Sequence, residues 1–181
     1  NALKASVQHD FILCTHSQPE VPIVRRDLDL LRRTEGNLHI CHISEKDTLC
    51  AIASAKEEGL YFTCEVTPHH LFSWGLNYKV NPPFGKQEDL NAMIWGVKNG
   101  YIDVLATDHA PHSPEDKEKG SPGIDIIENA FSIYWKVFSE NDISIERLSE
   151  MISYVPAKRI GLSKGLIEPG YDADLTAVDL D

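Results

Sequence analysis

Apolar and polar positions along this chain sort into two alternating kinds of segment, short runs of strand formers and longer stretches with helical spacing. Phe11 to Cys14 is a strand-like run, followed by Val21 to Arg33, where Ile23, Val24, Leu28, Leu30 and Leu31 recur at helical intervals. Leu38 to Ile43 repeats the strand signal. Ser44 is placed to cap the next helix, which Thr48 to Lys56 carries until Gly59 stops it. Leu60 to Val66 is a third strand, after which Thr67 to Phe84 forms a long excursion before a helix near Glu88 to Lys98. Ile102 to Ala106 makes a fourth strand, followed by a polar loop from Asp108 to Gly123 and a helix near Ile126 to Phe138.

Four strand, loop and helix repeats imply an α/β fold with a parallel sheet and right-handed crossovers. Candidate polar groups fall at the C-terminal ends of the strands, which points to a (β/α)8 barrel of the TIM type; an open doubly wound sheet is the alternative. A whole barrel takes ~200 residues at minimum and ~250 typically. Four units in 181 residues therefore read as a partial barrel, about the second half, with the earlier strands lying outside this chain. Residues 1–162 form that part and residues 163–181 a return segment, a C-terminal strand heading toward a small β-sandwich.

Composition narrows the function class. With 42% hydrophobic residues and a net charge of −11, the chain has material for a core and an acidic surface that repels nucleic acid and anionic membrane. A small-molecule substrate fits better. No run approaches the roughly 20 apolar residues of a membrane span, and the first residues lack a signal-peptide layout. The four cysteines, Cys14, Cys41, Cys50 and Cys64, lack CxxC spacing, and three lie in apolar runs that read as buried strands. Reduced thiols in a soluble, cytoplasmic protein are the expectation.

All eight histidines precede residue 113, and six sit at or just beyond predicted strand ends. His16 in Cys-Thr-His-Ser, His42 in His-Ile-Cys-His-Ile-Ser and Asp108 in Ala-Thr-Asp-His-Ala-Pro-His are the sharpest candidates. Two imidazoles and a carboxylate from adjacent strands suit part of a hydrolytic metal site. Strand alternation sets His39 and Cys41 on one face and Ile40 and His42 on the other, so one histidine alone points inward at metal depth, and terminal position favours His42. A hydrogen-bonded core histidine is the competing reading for His42, and a strand-end carboxylate accepting backbone N–H groups for Asp108. His109 orients the loop. His69 and His70 either fix ligand carboxylates or only pack. Asn81 suits an amide or carboxylate substrate, although Asn before Pro also starts turns.

His-Ile-Cys-His-Ile-Ser at 39–44, Cys-Glu-Val-Thr-Pro-His-His-Leu at 64–71, Asn-Pro-Pro at 81–83 and Ala-Thr-Asp-His-Ala-Pro-His-Ser-Pro-Glu-Asp-Lys at 106–117 together resemble class I dihydroorotases of the amidohydrolase superfamily. Gly-Leu-Ile-Glu-Pro-Gly-Tyr-Asp-Ala-Asp-Leu at 165–175 is similar to the segment that returns from barrel to sandwich. The resemblance implies that His16 and His42 bind one metal of a two-zinc site. It implies that Asp108 binds the other and acts as general base, and that Asn81, His112, Pro122 and Gly123 contact substrate. The reaction implied is zinc-dependent, reversible closure of N-carbamoyl-L-aspartate to L-dihydroorotate in pyrimidine biosynthesis, by a homo-oligomer with aspartate transcarbamoylase as a candidate partner.

Departures from the family pattern stand beside the matches. Its early His-x-His pair and bridging carboxylated Lys or Asp have no counterpart here, and Lys4 is too near His16 to serve. Its His-Ala-Glu is His16-Ser17-Gln18, one carboxylate fewer, and a usual Gly is Ile126. Two other functions compete: a hydantoinase or allantoinase, and a non-catalytic dihydroorotase-like scaffold subunit, against which retention of His16, His42, Asp108 and His112 argues.

Overall fold

The structure, a computed structural model, describes residues 2–180. Helix α1 (Ala2–His9) leads into β1 (Leu13–Thr15), α2 (Glu20–Thr34), β2 (Leu38–Ile40), α3 (Lys46–Glu57), β3 (Thr63–Val66), α4 (Pro68–Phe72), α5 (Gln87–Lys98) and β4 (Val104–Leu105). The chain continues through α6 (Pro114–Glu118), a 3-10 turn at Ile127–Asn129, α7 (Ala130–Glu140), α8 (Ile145–Ser149), a π turn at Glu150–Tyr154 and α9 (Val155–Arg159).

The four strands are parallel and lie side by side in chain order, with Leu13 opposite Leu38, His39 opposite Thr63 and Glu65 opposite Val104. A doubly wound sheet reverses its order at a switch point. Among the described strands there is no reversal, so the sheet is an arc of barrel type. Leu38, Ile40, Cys64 and Val66 turn to the helical layer, where Val24, Leu28, Ile52, Met93, Tyr134 and Phe138 complete a continuous apolar core. Side-chain alternation sends Cys14, His39, Cys41, Thr63 and Glu65 to the opposite, inner face.

Three expectations are corrected. Each strand is shorter than its apolar run, and β2 ends at Ile40 rather than Ile43 because the backbone turns left-handed at His42 (φ 36°). Ser44 does not cap α3. Glu45 holds that position, while the Ser44 hydroxyl and N–H both donate to the Glu20 carboxylate, which holds the Ser44 side chain against the start of α2. Of the three cysteines expected in buried strands only Cys64 is buried; Cys14 is exposed and Cys41 half-buried, since both project from the inner face. Burial pushes the Cys41 thiol up to about 12, with the Glu65 charge adding to it.

Residues 163–180 contain no strand. Their apolar side chains stand in solvent, Ile167 at 88% and Leu175 at 69% exposure. An extended segment becomes a strand only when a neighbouring edge accepts its backbone hydrogen bonds, and none pairs with it among the described residues. Among the described residues no helix is long and apolar enough to cross a membrane.

Candidate metal centre at the strand tips

β1 and β2 end side by side, so the residues that follow them emerge at one rim of the sheet. His16 Nδ1 lies 2.9 Å from His42 Nε2, and the rings meet edge to face with centroids 4.7 Å apart. Asn81 reaches the same place from the long excursion, its Nδ2 standing 3.3 Å from His16 Nε2. With Asn81 donating, the His16 proton sits on Nδ1 and is given to His42 Nε2. The His42 proton is then left on Nδ1, a buried atom with no hydrogen-bond partner.

Asp108 follows β4 and adopts a left-handed conformation (φ 46°), as His42 does. A non-glycine residue there costs about 1–3 kcal/mol, a strain that concentrates at functional sites. Partial burial raises the Asp108 carboxyl above its usual range, and His42 and His16 oppose that rise by favouring the charged form. Burial lowers His16, helped by the neighbouring His42 and opposed by Asp108. The three groups thus share one electrostatic environment at the rim. Two imidazoles with facing nitrogens, an unanswered polar atom on one of them and a carboxylate within electrostatic reach form a donor set that suits a borderline divalent cation such as zinc.

His112, Pro122 and Gly123 gather in the loop beyond Asp108. His112 Nε2 donates to the Pro122 carbonyl at 2.8 Å. A Cβ on Gly123 (φ 140°) would fall 2.5 Å from the Ala110 carbonyl oxygen and 2.9 Å from the His112 ring, so only glycine fits. Lys117 Nζ donates to the carbonyls of Lys79 and Gly123 and lies 4.0 Å over the Tyr78 ring, tying this loop to the one that carries Asn81. His109 accepts the Ile126 and Ile127 amides on Nδ1. That nitrogen carries no proton, so its 3.5 Å approach to Asp125 is no ion pair.

His69 and His70 are buried behind the rim. Burial drives His69 down to about 3 and His70 to about 4, with charge repulsion from His70 adding for His69. His70 is held by the Thr67 hydroxyl at 2.7 Å and the Pro82 carbonyl at 3.2 Å.

Several supporting residues escaped the reading of the sequence. Glu20, buried at the start of α2, accepts the Ser44 and Glu45 amides and the Ser44 hydroxyl, binding the segment after His42 to the segment after His16. It provides a carboxylate two residues beyond the one missing from His16-Ser17-Gln18, and an acid just ahead of a predicted helix start is its only signal. Buried Tyr134 sends its hydroxyl to Ala106 O at 2.6 Å, with Val66 O at 3.1 Å, and so joins the ends of β4 and β3. An aromatic within an amphipathic helix carries no mark of such a role.

The family model described as the amidohydrolase family matches residues 6–181. Dihydroorotase from Clostridium botulinum (strain Eklund 17B / Type B) is 39% identical over 197 residues, covering 99% of this chain and 49% of that protein. Dihydroorotase from Lactobacillus leichmannii is 43% identical over 168 residues, covering 86% and 39%. Among solved structures, L-hydantoinase (dihydropyrimidinase) from Arthrobacter aurescens superposes with a TM-score of 0.79 at 27% identity, covering 95% of this chain and 44% of that one. The chain spans about half the length of the curated relatives it matches.

Proposed function

The chain belongs to the amidohydrolase family, and from that premise we propose that its strand-tip residues form part of the active site of a dihydroorotase. The observation that carries the reading is the contact between His16 and His42, 2.9 Å apart, with Asp108 coupled electrostatically to both. His16 and His42 hold one zinc of a two-zinc centre and Asp108 reaches the other. Bound zinc supplies Lewis acidity, polarising the ring carbonyl and making water a better nucleophile.

The chain's own groups do the rest. An Asp108 carboxylate oxygen takes the proton of the attacking water and gives it to the ring nitrogen as the C–N bond breaks; ring closure runs the same transfers backward. A carboxyl raised above its ordinary range is better matched to this shuttle than an unperturbed one. Asn81 and His112, with the Pro122–Gly123 backbone, bind the substrate carboxylate and amide. On this reading the substrate pair is N-carbamoyl-L-aspartate and L-dihydroorotate, and the enzyme works in cytoplasmic pyrimidine synthesis as a homo-oligomer, with aspartate transcarbamoylase as its candidate partner. Residues 163–181 lead from the barrel toward a small β-sandwich.

Asp108→Ala in the full protein is expected to lower dihydroorotate turnover by about 10²–10⁴-fold, the range for a positioned acid-base group; unchanged turnover removes Asp108 from the mechanism. The likeness to L-hydantoinase favours a second reading, a hydantoin- or allantoin-opening enzyme. Comparing turnover of dihydroorotate, hydantoin and allantoin separates the two.

A further inference from the structure

The inner face of the sheet carries a second cluster of ligand-type side chains, below the rim and separate from His16, His42 and Asp108. Cys41 and His39 stand two residues apart on one side of β2 and its extension, and Glu65 projects beside them from β3. One donor atom from each of His39, Cys41 and Glu65 lies within 4.8 Å of the other two. Cys14, the register partner of His39, projects from β1 on the same face and brings a second sulfur alongside. Thiol, imidazole and carboxylate from two adjacent strands form a mixed set of soft and borderline donors.

The cluster is braced from behind. His39 Nδ1 lies 2.8 Å from the Thr63 hydroxyl and its Nε2 2.8 Å from Glu65 Oε2. Thr63 Oγ1 in turn accepts Arg159 Nε at 3.0 Å, and a second Arg159 nitrogen donates to the Leu38 carbonyl at 2.9 Å. Because Thr63 Oγ1 already accepts from arginine, its own proton is free for His39 Nδ1, which leaves the His39 proton on Nε2 and directed at Glu65. A hydroxyl both donates and accepts, so it also supports the other tautomer, in which Nε2 offers a lone pair. The imidazole is therefore aimed into the cluster in either state, as ligating histidines are when a second group grips the far nitrogen.

We propose that His39, Cys41 and Glu65 form a binding site for a thiophilic divalent cation of the zinc and cadmium class, on the inner sheet face and distinct from the strand-tip centre. Zinc-type bonds of about 2.0–2.3 Å ask the three donors to close by only about an ångström, within the reach of side-chain rotation. On binding, an S–metal bond replaces the Cys41 S–H bond and the proton leaves to solvent. The His39 proton moves to Nδ1 and is received by Thr63, and Glu65 exchanges its contact with His39 Nε2 for the cation. Occupancy ties β2 to β3. None of this requires the dihydroorotase reading.

The test is a cadmium titration of the full protein carrying Cys50→Ser, which removes an exposed thiol on α3, followed by the ultraviolet thiolate-to-cadmium charge-transfer band. Histidine and carboxylate ligands alone give no such band, so the strand-tip centre is silent in this measurement. A saturable band that persists in His42→Ala, disappears in Cys41→Ser and shows at least about tenfold weaker affinity in Glu65→Gln and His39→Asn is the expected result. Absence of the band, its survival in Cys41→Ser, or unchanged affinity in both Glu65→Gln and His39→Asn overturns the site. Circular dichroism checks folding. If Cys41→Ser does not fold, the Glu65 and His39 variants decide alone. Failure here leaves dihydroorotate turnover and its dependence on Asp108 unaffected.

Discussion

Two histidine pairs lie close together in this molecule and differ in what surrounds them. His16 and His42 meet at the rim, with one exposed ring, nitrogen facing nitrogen and a proton on His42 that finds no acceptor. His69 and His70 sit buried behind them: His70 is held on both nitrogens by Thr67 and the Pro82 carbonyl, while His69 meets Thr67 through Nε2 and keeps an unpartnered Nδ1 with no carboxylate beside it. The contrast teaches that the type of residue does not declare a site. A histidine whose nitrogens are both answered by the fold is part of the scaffold, and one left with an unanswered nitrogen beside a carboxylate is available for chemistry.

The largest effect that sharpens this contrast belongs to the rim. His42→Ala is expected to lower turnover of the full protein by at least about 100-fold, since groups that merely support a metal ligand already cost about 10–100-fold when removed. Its denaturant midpoint should stay near that of the parent, because among the described residues the ring's only hydrogen bond is to His16. A variant that keeps its activity would dissolve the difference between the pairs.

His70→Ala should show the reverse. It leaves the Pro82 carbonyl without its partner and the Thr67 hydroxyl with its longer contact to His69, a loss of about 1–3 kcal/mol in urea unfolding. Turnover per folded molecule should hold within about twofold of the parent, a far smaller change than an acid-base group causes. A large fall in turnover at preserved stability would move His70 into the site.

The last effect is graded with pH. His69 and His70 are held near 3 and 4, below the ordinary 6.5. The unfolded chain therefore takes up their protons first as pH falls, and the stability they contribute is complete above 6.5 and is lost toward their folded values. Each contributes a slope of up to about 1.4 kcal/mol per pH unit. Urea midpoints measured from about pH 7 to about pH 5 should decline on this account, with a shallower slope in His70→Gln. An equal slope in that variant assigns the decline to carboxylates.

Much of this arrangement is readable in advance. The alternation of strand-like and helical segments, with Gly59 closing α3, gives the order of the elements, and the positions just past each apolar run mark the rim. The strand ends are harder to read. Ile43 is as apolar as Ile40, and only the left-handed turn at His42 ends β2 between them. Capping at Ser44 was misjudged because the deciding partner, Glu20, is distant in sequence and becomes a neighbour only after α2 and α3 pack. Exposure of Cys14 and Cys41 follows from which side of the sheet the helices cover, and an apolar run contains no record of that choice. The inner-face polar cluster depends on register between β2 and β3, invisible in either strand alone.

Strand order that follows chain order also bears on how the molecule is built. β2 needs only β1 to pair with, β3 needs only β2, and β4 needs only β3. Each step closes one modest loop instead of waiting for a distant segment, which keeps the entropic barrier to each addition low. A nascent chain leaving the ribosome can therefore lay down this arc one strand at a time, and the rim where His16 and His42 meet would take shape before Asp108 has been synthesised.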